Sequence, residues 1–215
     1  LLKENGIFVF EEPYLMDMLE KGSFDQIYDE HIYIFSALSV KKLAQRHGLQ
    51  LVDAIPQITH GGSMRYILTK STKAIPSVRL NSILEEEEII LEEDVWIEEL
   101  RNAITSKIGD LREILLKIAN EGKIVGGYAA TSKSTTVLNL GKIDSSLIKF
   151  IVDSTSEKIG KYSPGMKIPI VSREQGLEQK PSYLVLFAWN HLEEIQRKEK
   201  ALIEMGIKFI LFHPS

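Results

Sequence analysis

The sequence contains no cysteine. Disulfides and thiolate chemistry are thereby excluded, and with five scattered histidines at no ligand spacing a structural zinc site is not expected within this segment. No apolar run approaches membrane-spanning length, and no basic-then-apolar signal segment opens the chain, so no membrane partner is expected and the chain reads as cytoplasmic. An excess of positive charge is also missing. Lys and Arg number 26 against 30 Asp and Glu, a formal charge of −4, and no basic cluster is present to neutralise phosphates, so nucleic acid is not an expected partner. Neither G-x-G-x-x-G nor G-x-x-x-x-G-K-[ST] occurs, which counts against a nicotinamide-dependent enzyme and against a P-loop.

What remains is an ordinary globular composition. Of 215 residues, 44% are apolar and 26% charged, enough to bury one large or two small cores. The chain starts with Leu1, and Leu1–Gly6 reads as the last turn of a helix with its glycine stop, followed by Ile7–Phe10 as a short buried strand. Further sequence upstream is therefore expected. Ser23–Phe35 is aromatic and ionisable without periodicity, which predicts a loop with a helical turn. Ser39 is the expected N-cap of a helix running to His47. Leu49–Val52 and Ser63–Thr69 read as strands able to pair as a hairpin, the second with Met64, Tyr66 and Leu68 on one face and Arg65 and Ile67 on the other.

From Arg79 to Ala119 the spacing of Leu100, Ile104, Ile108, Leu111, Leu115 and Ile118 predicts a long amphipathic helix, with the Glu85–Glu88 run on an exposed face. Beyond Gly122 the pattern becomes short apolar strands alternating with helices: Ile124–Tyr128, Thr135–Leu140, Ile148–Val152, Tyr183–Ala188, Leu192–Met205 and Ile207–Phe212. That rhythm predicts a small parallel α/β domain, whose ligands gather beyond the carboxyl ends of strands at Tyr128, Asp153 and Trp189. The expected organisation is a first region of residues 1–75, a helical connector of 76–119 and a Rossmann-like domain of 120–215.

Three constellations carry possible chemistry. Tyr28-Asp29-Glu30-His31, followed at a distance by His60-Gly61-Gly62-Ser63, sets an imidazole beside a carboxylate and a phenol. A neutral imidazole takes protons near pH 7, a carboxylate fixes its tautomer, and a phenol donates to a developing enolate; a merely solvated polar loop is the plainer alternative. The run Gly126–Thr136 follows a strand and opens a helix, offering N–H groups, hydroxyls and Lys133 to an anion, or simply capping the helix. Trp189-Asn190 ends a strand, with Asn190 placed to cap the next helix and Trp189 to stack on a nucleotide.

In their order, these segments resemble the sugar C-methyltransferases, enzymes that methylate a carbon of a nucleotide-linked keto-deoxysugar. Phe24-Asp25-Gln26-Ile27-Tyr28-Asp29-Glu30-His31 with Phe35-Ser36 resembles that family's F-D-x-I-Y-H-E-H loop and its F-S, and His60-Gly61-Gly62-Ser63-Met64-Arg65 resembles H-G-G-S-x-R. Gly127-Tyr128-Ala129-Ala130 through Lys133, Thr135 and Leu138-Asn139 is similar to G-Y-G-A-x-x-K-x-x-T-x-L-N. Val152-Asp153, Lys158, Gly160-Lys161, Pro164-Gly165, Ile168-Pro169-Ile170 and Trp189-Asn190 come next in the family's order.

The resemblance implies an α/β architecture: the end of a class I methyltransferase domain and a Rossmann-like C-terminal domain, joined by long helices. It implies S-adenosylmethionine as cofactor, bound mainly upstream, zinc in a further N-terminal segment, and a fragment inactive by itself. It also implies catalytic roles for His31 as base, Glu30 as its orienting carboxylate, Tyr28 at the enolate and His60 as a second imidazole. Lys133, Thr135, Tyr128, Trp189 and Asn190 would bind the nucleotide sugar. Asp29 stands where the family has His, Ala129 where it usually has Gly, and Gly141-Lys142-Ile143 where C-G-I is common, which bears on the substrate more than on the reaction class. The alternative expectation is a module that binds a nucleotide sugar or a partner without catalysis.

Overall fold

The computed structural model describes residues 2–3, 6–71 and 73–212, with the side chain of His60 outside that description. Residues 1, 4 and 5 fall outside it too, so the expected helix end at Leu1–Gly6 lies beyond the described residues. The chain divides into two compact units, one of Leu1–Gln26 with Glu30–Asn102 and one of Ile27–Asp29 with Ala103–Ser215.

The first unit begins with β1 (Ile7–Pro13), α1 (Leu15–Lys21), a 3-10 turn at Phe24–Gln26 and α2 (Ala37–Arg46). It continues through β2 (Gln50–Gln57), a second 3-10 turn at Thr59–Gly61, β3 (Ser63–Thr69) and α3 (Val78–Leu91). The strands form one sheet in the order β1-β3-β2, with β3 antiparallel to both neighbours. Strand alternation sets its buried face: Met64, Tyr66 and Leu68 are buried, whereas Arg65 is exposed. Against that face pack Ala37, Val40 and Ala44 of α2 and Leu80 and Leu84 of α3, each set at helical spacing.

The N-terminus of α2 departs from expectation. Ser36, not Ser39, is the N-cap: its side chain accepts from the Ser39 N–H, and the Ser39 hydroxyl accepts in return from the Ser36 N–H at 3.0 Å. Ser39 is the third helical residue of a reciprocal capping box. The expected single helix over 79–119 is two, α3 and α4 (Val95–Asn120), separated at Glu92–Asp94. The Glu85–Glu88 run is not uniformly exposed either, because Glu87 is fully buried. It falls seven residues after Leu80 on the stripe that faces the core.

In the second unit, β4 (Val125–Tyr128), α5 (Ser132–Gly141), β5 (Ile151–Val152), β6 (Ile170–Val171) and α6 (Arg173–Glu178) precede β7 (Tyr183–Leu186). A 3-10 turn at Trp189–His191, α7 (Leu192–Lys198), α8 (Lys200–Glu204) and β8 (Lys208–Ile210) complete it. All five strands are parallel, in the order β6-β5-β4-β7-β8. The expected parallel α/β domain is therefore present. Its topology steps outward from β4 through β5 to β6, then crosses to the other side of β4, so the direction reverses between β4 and β7. Close packing at β4 depends on glycine: a Cβ on Gly126 would lie 2.6 Å from the Phe150 ring and 2.9 Å from Leu184. The expected continuous helix Leu192–Met205 is broken at Glu199 into α7 and α8.

Candidate functional site

In the first unit, a loop leads from the Phe24–Gln26 turn to α2 and contains His31. Its far end is anchored at Phe35, whose carbonyl accepts from the Leu15 N–H at 2.9 Å and whose ring packs edge-on against Phe10 of β1. Behind that anchor is Glu87, which accepts from the Tyr14 hydroxyl at 2.9 Å and from the Ala37 and Leu38 N–H groups at 2.7 Å each. Burial first, then the charge and hydrogen bond of Glu87, push the Tyr14 phenol far above its ordinary value.

His31 sits with 16% of its side chain exposed, its Nδ1 3.2 Å from Oε2 of Glu12 at the end of β1. Glu30 is exposed, and Glu12 is a carboxylate that the fold places against the ring. Tyr28 is half-buried and groups with the second unit, whereas Glu30 and His31 group with the first. The His60 side chain lies outside the described residues. Its backbone turn is held by Lys21, whose Nζ donates to the Gly61 carbonyl at 2.7 Å and to Asp17 at 2.8 Å. Gly62 in that turn has φ of 139°, and a Cβ there would run into Asp17. A cleft of about 410 Å³ beside it is lined by Asp17, Lys21, Pro56, Gln57, Ile58 and Gly61.

In the second unit, three expected residues converge where the strand order reverses. Lys133, in the first turn of α5 after β4, is only 7% exposed. Its Nζ lies 4.8 Å from the centre of the Trp189 ring and 3.3 Å from Oδ1 of Asn190, both beyond the end of β7. Asn190 thus contacts Lys133 instead of capping α7, whose N-cap position is His191 with no side-chain cap bond. Capping at α5 falls to Thr131, whose hydroxyl accepts from the Ser134 N–H at 3.1 Å. Thr135 is half-buried one turn along the helix.

Tyr128 stands apart from that trio. Its hydroxyl donates to Oε1 of Glu199 at 2.8 Å, and Arg173 Nε donates to the other oxygen at 2.9 Å. Burial, then the bond and charge of Glu199, raise the Tyr128 phenol well above its ordinary value. These groups edge a cleft of about 360 Å³ at the strand ends, beside β4, β5 and β6. Asp153 lines it too. Burial pulls the Asp153 carboxyl up, but hydrogen bonds from Thr155 and Ala130 and the charge of Lys158 outweigh it and hold the group below the usual range. Ala129, on the same lining, adopts φ of 71°, a left-handed conformation that a residue with a Cβ rarely takes. Sequence reasoning found Asp153 as a strand end but missed Glu12, Arg173 and Glu199. The one signal for Glu199 was its place in a helical stretch otherwise read as unbroken.

Among the described residues, no group of three or more His, Asp or Glu is placed to hold a metal, and no helix is long and apolar enough to cross a membrane. The turn after β4 is not fitted to S-adenosylmethionine. The glycine-containing turn after β4 carries the Cβ of Ala129, and its Ala130 N–H is already donated to Asp153 at 2.8 Å.

Comparison with known proteins adds two findings. Residues 58–214 match the family model described as the C-methyltransferase C-terminal domain. Over its whole length the chain is 34% identical to the C-methyltransferase NovU of Streptomyces niveus, of which the match covers 52%. The chain thus spans about half the length of that curated relative.

Proposed function

The chain belongs to the sugar C-methyltransferase family, and from that premise we propose that it acts on a nucleotide-linked keto-deoxysugar that is methylated at carbon from S-adenosylmethionine. The convergence of Lys133, Trp189 and Asn190 at the reversal of the parallel sheet carries this reading. A cation against an aromatic ring and an amide suits the phosphates and base of a nucleotide, and open parallel sheets bind ligands at such a point. The three-stranded sheet of the first unit is the end of the methyltransferase sheet. In this reading S-adenosylmethionine would supply the methyl group.

This chain's own residues supply proton transfer. His31 takes the proton from the carbon beside the ketone, the C–H electron pair passing to the enolate. Deuterium uptake from solvent at that carbon tests the assignment, using full-length enzyme and a panel of nucleotide 4-keto-6-deoxysugars. Uptake in wild type that is lost in His31→Asn is the expected result. Equal uptake in both removes His31 as base, and no uptake despite tight sugar binding makes the chain a binding module.

A further inference from the structure

We propose that Glu12 is the positioning residue of the His31 base, a role that rests on the proposed proton abstraction. An imidazole can act as base only through a nitrogen that carries no proton, so something must fix which nitrogen that is. A backbone carbonyl or a carboxylate can do this, and here a carboxylate stands at Nδ1. Glu12 Oε2 lies 3.2 Å from His31 Nδ1, and an ionised carboxylate only accepts hydrogen bonds, so the pairing places the proton on Nδ1 and leaves Nε2 with its lone pair.

The carboxylate comes from an element fit for the task. Glu12 is on β1, where it stands opposite Met64 of the central strand, a residue that is fully buried. Its neighbour Glu11 is committed elsewhere, accepting from Arg65 Nη2 at 2.9 Å and from the Thr59 hydroxyl. The His31 loop rejoins the same strand end, through the bridge between Tyr14 and Phe35, so loop and carboxylate share one rigid support. When Nε2 takes the substrate proton, the ring becomes a cation with its Nδ1–H on a carboxylate, which stabilises the charge as it forms. Exposed Glu30, adjacent in sequence, has no such placement.

The test uses full-length protein with histidines labelled in nitrogen-15, comparing wild type, Glu12→Gln, Glu12→Asp and His31→Asn. In wild type, the neutral His31 ring carries its proton on Nδ1. In Glu12→Gln that preference is lost, and deuterium uptake into the keto-sugar slows by about 10- to 100-fold in kcat with KM and melting temperature unchanged. Glu12→Asp recovers part of the rate. A Glu12→Gln variant with wild-type kcat, or a wild-type ring protonated on Nε2, overturns the assignment. If wild type shows no uptake, the abstraction reading fails while the tautomer measurement still decides whether Glu12 holds His31.

Discussion

Replacing Glu87 should damage the first unit more than any exposed member of its acidic run. The carboxylate is fully buried and accepts three hydrogen bonds, from Tyr14 and from the first two N–H groups of α2. Glu87→Ala leaves the buried Ala37 N–H and the half-buried Tyr14 hydroxyl and Leu38 N–H without this acceptor. At about 1–2 kcal/mol for each lost bond to a charged acceptor, the expected loss is about 4 kcal/mol. Glu87→Gln keeps one accepting oxygen but turns an NH₂ group toward an α2 N–H, which costs about 2 kcal/mol, and Tyr14→Phe removes a single bond for about 1 kcal/mol. Denaturant unfolding followed through Trp96, in a Trp189→Phe background, reports on this unit separately from the other. Hydrogen exchange at the Ala37 and Leu38 amides gives the local reading, with protection falling in the order Tyr14→Phe, Glu87→Gln, Glu87→Ala. A Glu87→Ala loss below about 1 kcal/mol would refute the account of this residue as a buried helix cap.

The second unit carries three further expected outcomes. Lys133→Ala should weaken nucleotide-sugar binding by about 10- to 100-fold in titration calorimetry on full-length protein, because a buried charge-assisted donor is lost; unchanged affinity moves the ligand away from the reversal point. Gly126→Ala should lower stability by about 1–3 kcal/mol through overpacking against Phe150 and Leu184, whereas Gly109→Ala, in α4 with open space at its Cβ, should raise it by about 0.5–1 kcal/mol. Opposite signs in chemical denaturation are the check. Asp153 has a folded pKa below its unfolded value, so its contribution is fully present above the unfolded carboxylate range and is lost as pH falls through the folded value. The stability gap between wild type and Asp153→Asn should therefore shrink from pH 6 toward pH 3, and a gap that widens there contradicts the assigned hydrogen bonds.

Local periodicity made most of the architecture legible. The alternation at Ser63–Thr69 matches the burial of β3, and the change of rhythm after Gly122 corresponds to the parallel sheet. Strand β6 and helix α6 escaped because a two-residue strand and a six-residue helix carry too little pattern to register. Ser39 was mistaken for a cap because either serine of a reciprocal box satisfies the same compositional rule, and only the backbone shows which one precedes the helix.

The missed residues of the candidate sites share a chemistry and a reason. Glu12, Glu87 and Glu199 are carboxylates with distant partners, 19 residues away for Glu12, 49, 50 and 73 for Glu87, and 26 and 71 for Glu199. A carboxylate in a sequence reads as solvated unless a partner is nearby, since isolated burial is so unfavourable. Each of these is instead held by donors that the fold delivers: an imidazole, two helix N–H groups with a phenol, and a phenol with a guanidinium. For Glu87 the position was available, because it continues the Leu80 and Leu84 stripe, and a charged residue on an apolar stripe signals a buried polar contact. For Glu12 the strand placed it and only tertiary pairing supplied the ring. Glu30 and Glu12 are both plausible by composition. The proposed orienting role goes to Glu12 because a strand fixes where its oxygen lies, whereas adjacency in an irregular loop does not.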